Sequence, residues 1–182
     1  MIREVITKPI VLVGMMGSGK STVGRKLAKK LNLQFYDSDK ILEEREGLSI
    51  ADIHEFMGKK YFQQKEEETI KEIIGYGTVV LSTGGSSFMN ENIRQFISEK
   101  AISIWLDVDL ETIYERVSRR NTRPELMMVK DKRDFISKMG KEREPIFDQA
   151  NIKVESDLEV YHLVGTVIRQ LEKYLAEINA KA

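Results

Sequence analysis

Cysteine is absent from the chain, which excludes disulfides, thiolate nucleophiles and cysteine-ligated metals. An excess of charge of either sign is also missing, because 29 Lys and Arg balance 29 Asp and Glu. A nucleic-acid binder working through a uniformly basic surface is therefore not expected. No apolar run approaches the roughly 20 residues needed to cross a bilayer, so no membrane partner is expected. Residues 1–8 carry Arg3, Glu4 and Lys8 and lack the apolar stretch of a signal peptide, which points to a cytoplasmic protein. Histidine is scarce at two residues, and no cluster of His and carboxylates has a metal-site spacing, so the only metal expected is one carried by a bound nucleotide. Repeats, low-complexity segments and linkers are lacking as well, and 182 residues suit one domain with a sizeable core.

Short apolar runs alternate with stretches of helical periodicity. Residues 9–13, 34–36, 78–82, 102–106 and 152–154 read as buried strands, several of them ending in glycine or aspartate. Helical spacing covers 20–31, 90–98, 110–119, 132–149 and 160–178. The charged segment 41–71 reads as two or three helices broken near Gly47 and Gly58. The alternation predicts an α/β fold of three layers, a five-stranded parallel sheet with helices on both faces. Residues 119–131 are polar, contain a proline and lack clear periodicity, and are expected to form a mobile loop.

The first strand runs straight into Gly14-Met15-Met16-Gly17-Ser18-Gly19-Lys20-Ser21, a complete phosphate-binding loop between a strand and a helix. Glycines let the backbone curl so that successive N–H groups face phosphate oxygens, and the helix start adds its partial positive charge. Gly17, Ser18, Gly19, Lys20, Ser21 and Thr22 are therefore the candidate ATP contacts. Lys20 is placed to reach the β- and γ-phosphates and the Ser21 hydroxyl to ligate Mg²⁺.

Ligands of an open parallel sheet gather beyond the carboxyl ends of its strands. The second strand delivers Asp37 and Asp39 there. One carboxylate can organise Mg²⁺ while the other accepts a proton from a hydroxyl substrate, or Ser38 or Asp39 simply caps the next helix. The third strand delivers Gly84-Gly85, either a site of close ligand approach or a tight turn. Arginines cluster at Arg116, Arg119, Arg120 and Arg123, and again at Arg143 before Pro145. Guanidinium forks suit phosphate and carboxylate, and Pro124 helps fix where Arg123 points. His54 serves core or pocket wall, His162 a surface or packing position, and Trp105 the core.

Together these features resemble the shikimate kinases, of the nucleoside-monophosphate-kinase-like fold. The resemblance rests on GMMGSGKSTVGRKLA at 14–28, FYDSD at 35–39, SIADIHEFMG at 49–58, TGG at 83–85, RP at 123–124 and REPIFDQA at 143–150. It implies a P-loop kinase with a substrate-binding region at about 38–75 and a lid at about 119–131. It also implies transfer of the γ-phosphate of ATP to the 3-hydroxyl of shikimate, with a monomer as the default. By position it assigns Lys20, Asp39 and Arg123 to catalysis, and Ser21 and Asp37 to Mg²⁺. Arg116 would lie on adenine, Arg123 would reach the phosphates, and Asp39, Gly84, Gly85 and Arg143 would meet the acceptor.

The departures fall mainly on the acceptor side. Where the family reads Gly-Glu-x-x-Phe-Arg-x-x-Glu, this chain reads Gly58-Lys59-Lys60-Tyr61-Phe62-Gln63-Gln64-Lys65-Glu66. Gln63 thus stands where an arginine would share the acceptor's carboxylate with Arg143. A charge-assisted hydrogen bond is worth about 1.5–3 kcal/mol, and a neutral amide cannot replace a bidentate ion pair. Ser86 replaces a third glycine, Glu125 follows the lid's Arg-Pro, and His54 stands at an aromatic or apolar wall position. Two alternatives follow: a related kinase with a polyol or hydroxy-acid acceptor, and an ATP-binding paralogue with little turnover. A guanine-nucleotide switch is disfavoured, since Asn-Lys-x-Asp and Asp-x-x-Gly are both absent.

Overall fold

The central strand β1 (Ile10–Val13) is buried along its whole length, and its alternate residues supply two separate cores. The computed structural model describes residues 2–119, 126, 129–156 and 160–180. β1 lies between β3 (Val80–Ser82) and β4 (Ile102–Asp107), with β2 (Phe35–Asp37) and β5 (Ile152–Glu155) at the edges, in the order β2-β3-β1-β4-β5. Every pairing is parallel, with Ile10 opposite both Val80 and Ile102. The five strands fall where the apolar runs predict them, and the shifts at their ends are of one or two residues.

Ile10 and Leu12 face a core completed by α1 (Lys20–Leu31) and by α7 (Val160–Asn179), through Val23, Leu27, Leu163 and Val167. Val11 and Val13 face the other core, with Ile70 and Ile73 of α3 (Lys59–Ile74) and Ile93 and Ile97 of α4 (Glu91–Lys100). α5 (Leu110–Ser118) and α6 (Lys132–Phe147) close that same face through Ile113, Val117, Ile136 and Phe147. A period of two in the strands set against 3.6 in the helices produces these three layers. Leu126, within the segment expected to be a mobile loop, is buried in this second core.

Helix starts follow local capping chemistry. Asn90, Asp109 and Asp131 each accept a backbone N–H from the first turn of α4, α5 and α6. The charged segment after β2 folds into α2 (Ser38–Glu46), a turn at Ile50–Asp52 that runs into a π-helical turn (Ile53–Met57), and α3. The breaks fall at Gly47 and Gly58, both at positive φ. Arg45 of α2 grips Glu72 of α3 through two hydrogen bonds of 2.8 Å, holding the Glu72 carboxyl down to about 2. Among the described residues no helix is long and apolar enough to cross a membrane.

Phe147 fixes the end of α6 against the sheet, with its ring stacked 6.2 Å from Phe88 and 5.8 Å from Trp105. Its side chain is 1% exposed. Phe147→Ala should lower the free energy of unfolding in urea by about 3–5 kcal/mol. Phe56→Ala, at a residue 68% exposed, should change it by no more than about 0.5 kcal/mol.

Candidate active site

The phosphate loop leaves β1 with Gly14, Gly17 and Gly19 all at positive φ, a path that side-chain-bearing residues rarely follow. No side chain caps α1 at Gly19, so the first N–H groups of the helix face the loop and can meet an anion. Lys20 is 7% exposed, and its Nζ donates to the carbonyls of Gly14 and Met15 at 2.8 Å each. The ammonium is thus held inside the curl of the loop. Ser18 is also buried, and Thr22 is exposed on the outer side of α1.

Ser21 Oγ donates to Asp37 Oδ2 at 2.5 Å and lies 3.3 Å from Ser82 Oγ. Three oxygen-bearing side chains from β2, β3 and α1 therefore converge beside the loop. A hard divalent cation such as Mg²⁺ prefers all-oxygen donors and keeps several waters, so this donor set fits it. Asp37 also caps α2 by accepting from Lys40 N at 3.3 Å. The cap is therefore Asp37 and neither Ser38 nor Asp39, because the helix begins at Ser38.

That early start separates the two aspartates. Asp37 closes β2 and turns to Ser21, whereas Asp39 lies in the first turn of α2 and reaches the turn after β3. A Cβ built on Gly84 would lie 2.8 Å from Asp39 Oδ1, 3.0 Å from Glu66 Oε1 and 3.0 Å from Ser87 Oγ. A Cβ built on Gly85 would lie 2.9 Å from the backbone nitrogen of Met16. Both glycines are thus required by close approach: Gly84 leaves room for two carboxylates, and Gly85 lets the turn after β3 touch the phosphate loop.

Arg143 on α6 donates to the carbonyl of Gly85 at 3.2 Å, which brings the REP segment to the same turn. Arg116 on α5 donates to the carbonyl of Gly17 at 3.1 Å and flanks the loop from the other side. Gln63 is exposed on α3. The His54 ring packs 4.2 Å from Phe62, while His162 is exposed and Trp105 is buried in the core. Arg120, Arg123 and Glu125 lie outside the described residues.

Glu66, Ser82 and Ser87 join the site without having been singled out from the sequence. Glu66 is 4% exposed, on the buried side of α3 with Phe62, Thr69, Ile70 and Ile73. The available signals were the closing Glu of the family pattern, which Glu66 fills, and its helical spacing with Phe62, Ile70 and Ile73. Its Oε1 accepts from Ser87 Oγ at 2.5 Å. Burial, and then the nearby Asp39 charge, push its carboxyl up to about 7, against the Ser87 hydrogen bond that favours ionisation.

A buried lysine in a glycine loop at a helix start, facing an oxygen-rich pocket on a parallel sheet, defines a P-loop phosphotransferase. Within that class the chain belongs to the shikimate kinase family, whose profile matches residues 16–172. The shikimate kinase of Bartonella quintana is 38% identical over 174 residues, covering 94% of this chain and 82% of that protein. The Rhodopseudomonas palustris enzyme is 41% identical over 169 residues, 92% of this chain and 83% of that one. Among solved structures, shikimate kinase from Acinetobacter baumannii in complex with shikimate superposes with a TM-score of 0.86 at 30% identity, covering 91% and 93% of the two chains. A gluconokinase from Sinorhizobium meliloti, at 16% identity and a TM-score of 0.61, shares the fold.

Two outcomes follow. Gly85→Ala must displace Met16 backbone, a strain of about 1–3 kcal/mol, and should weaken nucleotide binding measured by calorimetry by roughly 5- to 150-fold. Glu66 binds its proton more tightly folded than unfolded, so its contribution is full below the unfolded value near 4.5 and is lost as pH rises through about 7. Glu66→Gln should accordingly gain stability relative to the parent between pH 5 and pH 8, by up to about 3 kcal/mol in urea unfolding.

Proposed function

We propose that this chain transfers the γ-phosphate of ATP to the 3-hydroxyl of shikimate, giving shikimate 3-phosphate and ADP on the route to chorismate and the aromatic amino acids. The observation that carries the reading is the contact between the two half-sites: Gly85 rests on Met16 of the phosphate loop, beside Asp39 at Gly84. Donor and acceptor are thereby held next to each other, and holding reactants in line is the main work of phosphoryl transfer.

In the reaction, the acceptor oxygen forms a bond to the γ-phosphorus and the bond to the β–γ bridging oxygen breaks, with its electron pair leaving on ADP. Asp39 receives the hydroxyl proton. Lys20 and the N–H groups of the loop neutralise charge on the transferring group. Ser21 and Asp37 would hold Mg²⁺, which supplies charge neutralisation across the phosphates when bound. Arg143 holds the acceptor carboxylate, and Arg116 flanks the nucleotide beside Gly17. By resemblance, Arg123 reaches the phosphates from a lid at 119–131, over a single kinase domain spanning 1–182 with the acceptor region at 38–75. One chain holds the whole constellation, which supports a monomer, and a cytoplasmic location would supply its ATP.

Gln63 favours a second reading, a kinase of the same family whose acceptor is another hydroxy acid or a polyol. ATP consumption measured with shikimate, with a panel of polyols and with no acceptor separates the two. Shikimate-dependent turnover that falls by roughly 10²- to 10⁴-fold in Asp39→Asn, with ATP still bound, is the expected result. Turnover with another acceptor alone would transfer the assignment to that acceptor.

A further inference from the structure

Glu66 is a buried carboxyl that the transfer chemistry above leaves unused. It shares with Asp39 and Ser87 the space left by the missing side chain of Gly84, since all three oxygens lie within 3.0 Å of one point. The charge of Asp39 on α2 acts on Glu66. Arg143 of α6 reaches the neighbouring Gly85 carbonyl, and Arg94 of α4 is turned to the carbonyls of Phe88 and Met89. His54 of the π-helical turn packs on Phe62. Among the described residues no cation is paired with Glu66, and its hydrogen-bond partner is the neutral Ser87 hydroxyl.

Two carboxylates in one small space do not both ionise readily. The acceptor assigned above is itself an anion, and position 63, where the resemblance places an arginine, is neutral. We propose that Glu66 is a specificity-determining positioning residue of the acceptor pocket that works in its protonated form, leaving Asp39 as the pocket's single carboxylate so that Arg143 can hold an anionic acceptor. Ser87 orients the neutral carboxyl by donating to Oε1, which leaves Oε2 to carry the proton. Ionisation of Glu66 sets a second negative charge beside Asp39 and repels the acceptor's carboxylate, while nucleotide binding on the far side of Gly85 is unaffected. This inference rests on the anionic acceptor of the proposed function.

The test is the pH dependence of KM for shikimate and for ATP between pH 5.5 and 9, in the full chain, in Glu66→Gln and in Ser87→Ala. In the parent, KM for shikimate should be flat at low pH and rise by roughly tenfold per pH unit above a break at about 7, with KM for ATP unchanged. Glu66→Gln keeps an oxygen for Ser87 and should lose the break. Ser87→Ala removes a hydrogen bond to the ionised form and should move the break upward. A parent profile without the break, or one that persists in Glu66→Gln, overturns the proposal. If no shikimate turnover is seen at any pH, the acceptor assignment fails by itself. Titration of the Glu66 side-chain carboxyl by carbon-13 NMR in the free protein then decides the protonation claim: a midpoint near 7 supports it, and one in the ordinary glutamate range overturns it.

Discussion

The whole arrangement depends on β1 being buried on both faces and paired on both edges. A strand so enclosed has no freedom in register or direction, and the chain leaving it must emerge at one fixed point over the sheet. Gly14 to Gly19 curl at that point because positive φ is open to them, and α1 must begin where the curl ends. The N–H groups at the start of α1 are therefore in place before any ligand arrives, with Lys20 Nζ held on the Gly14 and Met15 carbonyls, and such fixed placement is what makes electrostatic stabilisation effective in phosphoryl transfer.

The turn that faces the phosphate loop is built by a second constraint, steric rather than electrostatic. β3 is the neighbour of β1, and the turn that follows it has no side chain at Gly84 or Gly85. The absent atoms allow backbone to meet backbone at Met16 and allow Asp39 and Glu66 to crowd one small space. Arg143 reaches that turn from α6, some 58 residues further along the chain. The pocket is assembled from the ends of β1 and β3 and from α2, α3 and α6, and its charge balance is a property of the assembly rather than of any one motif.

Legibility from the sequence followed the range of the interactions. The strands, the phosphate loop and the breaks at Gly47 and Gly58 could be read, because apolar periodicity and glycine conformation act within a few residues. Residues on motif backbones, such as Lys20 and Ser21, appear where the motif places them. Asp37 and Asp39 were visible as a pair, and the resemblance gave them separate roles, but the helix cap was not legible: α2 starts at Ser38, so Asp37 both caps that helix and meets Ser21, while Asp39 turns away to Gly84. Glu66 fills the last place of the quoted family pattern, but it lies in a run of three glutamates whose members differ in exposure only once α3 is packed.

By itself, the sequence determined the class of chemistry. A strand–glycine loop–lysine–serine–helix series is local, and local rules of φ and capping suffice to make it a phosphate cradle. What only the tertiary structure decided is which carboxyls face one another and what answers them. Ser87 is 21 residues from Glu66 along the chain, and Asp39 is 27 before it, yet all three meet at Gly84. Desolvation and like-charge proximity, the two causes that raise the Glu66 carboxyl, arise only when packing excludes water and brings distant residues together.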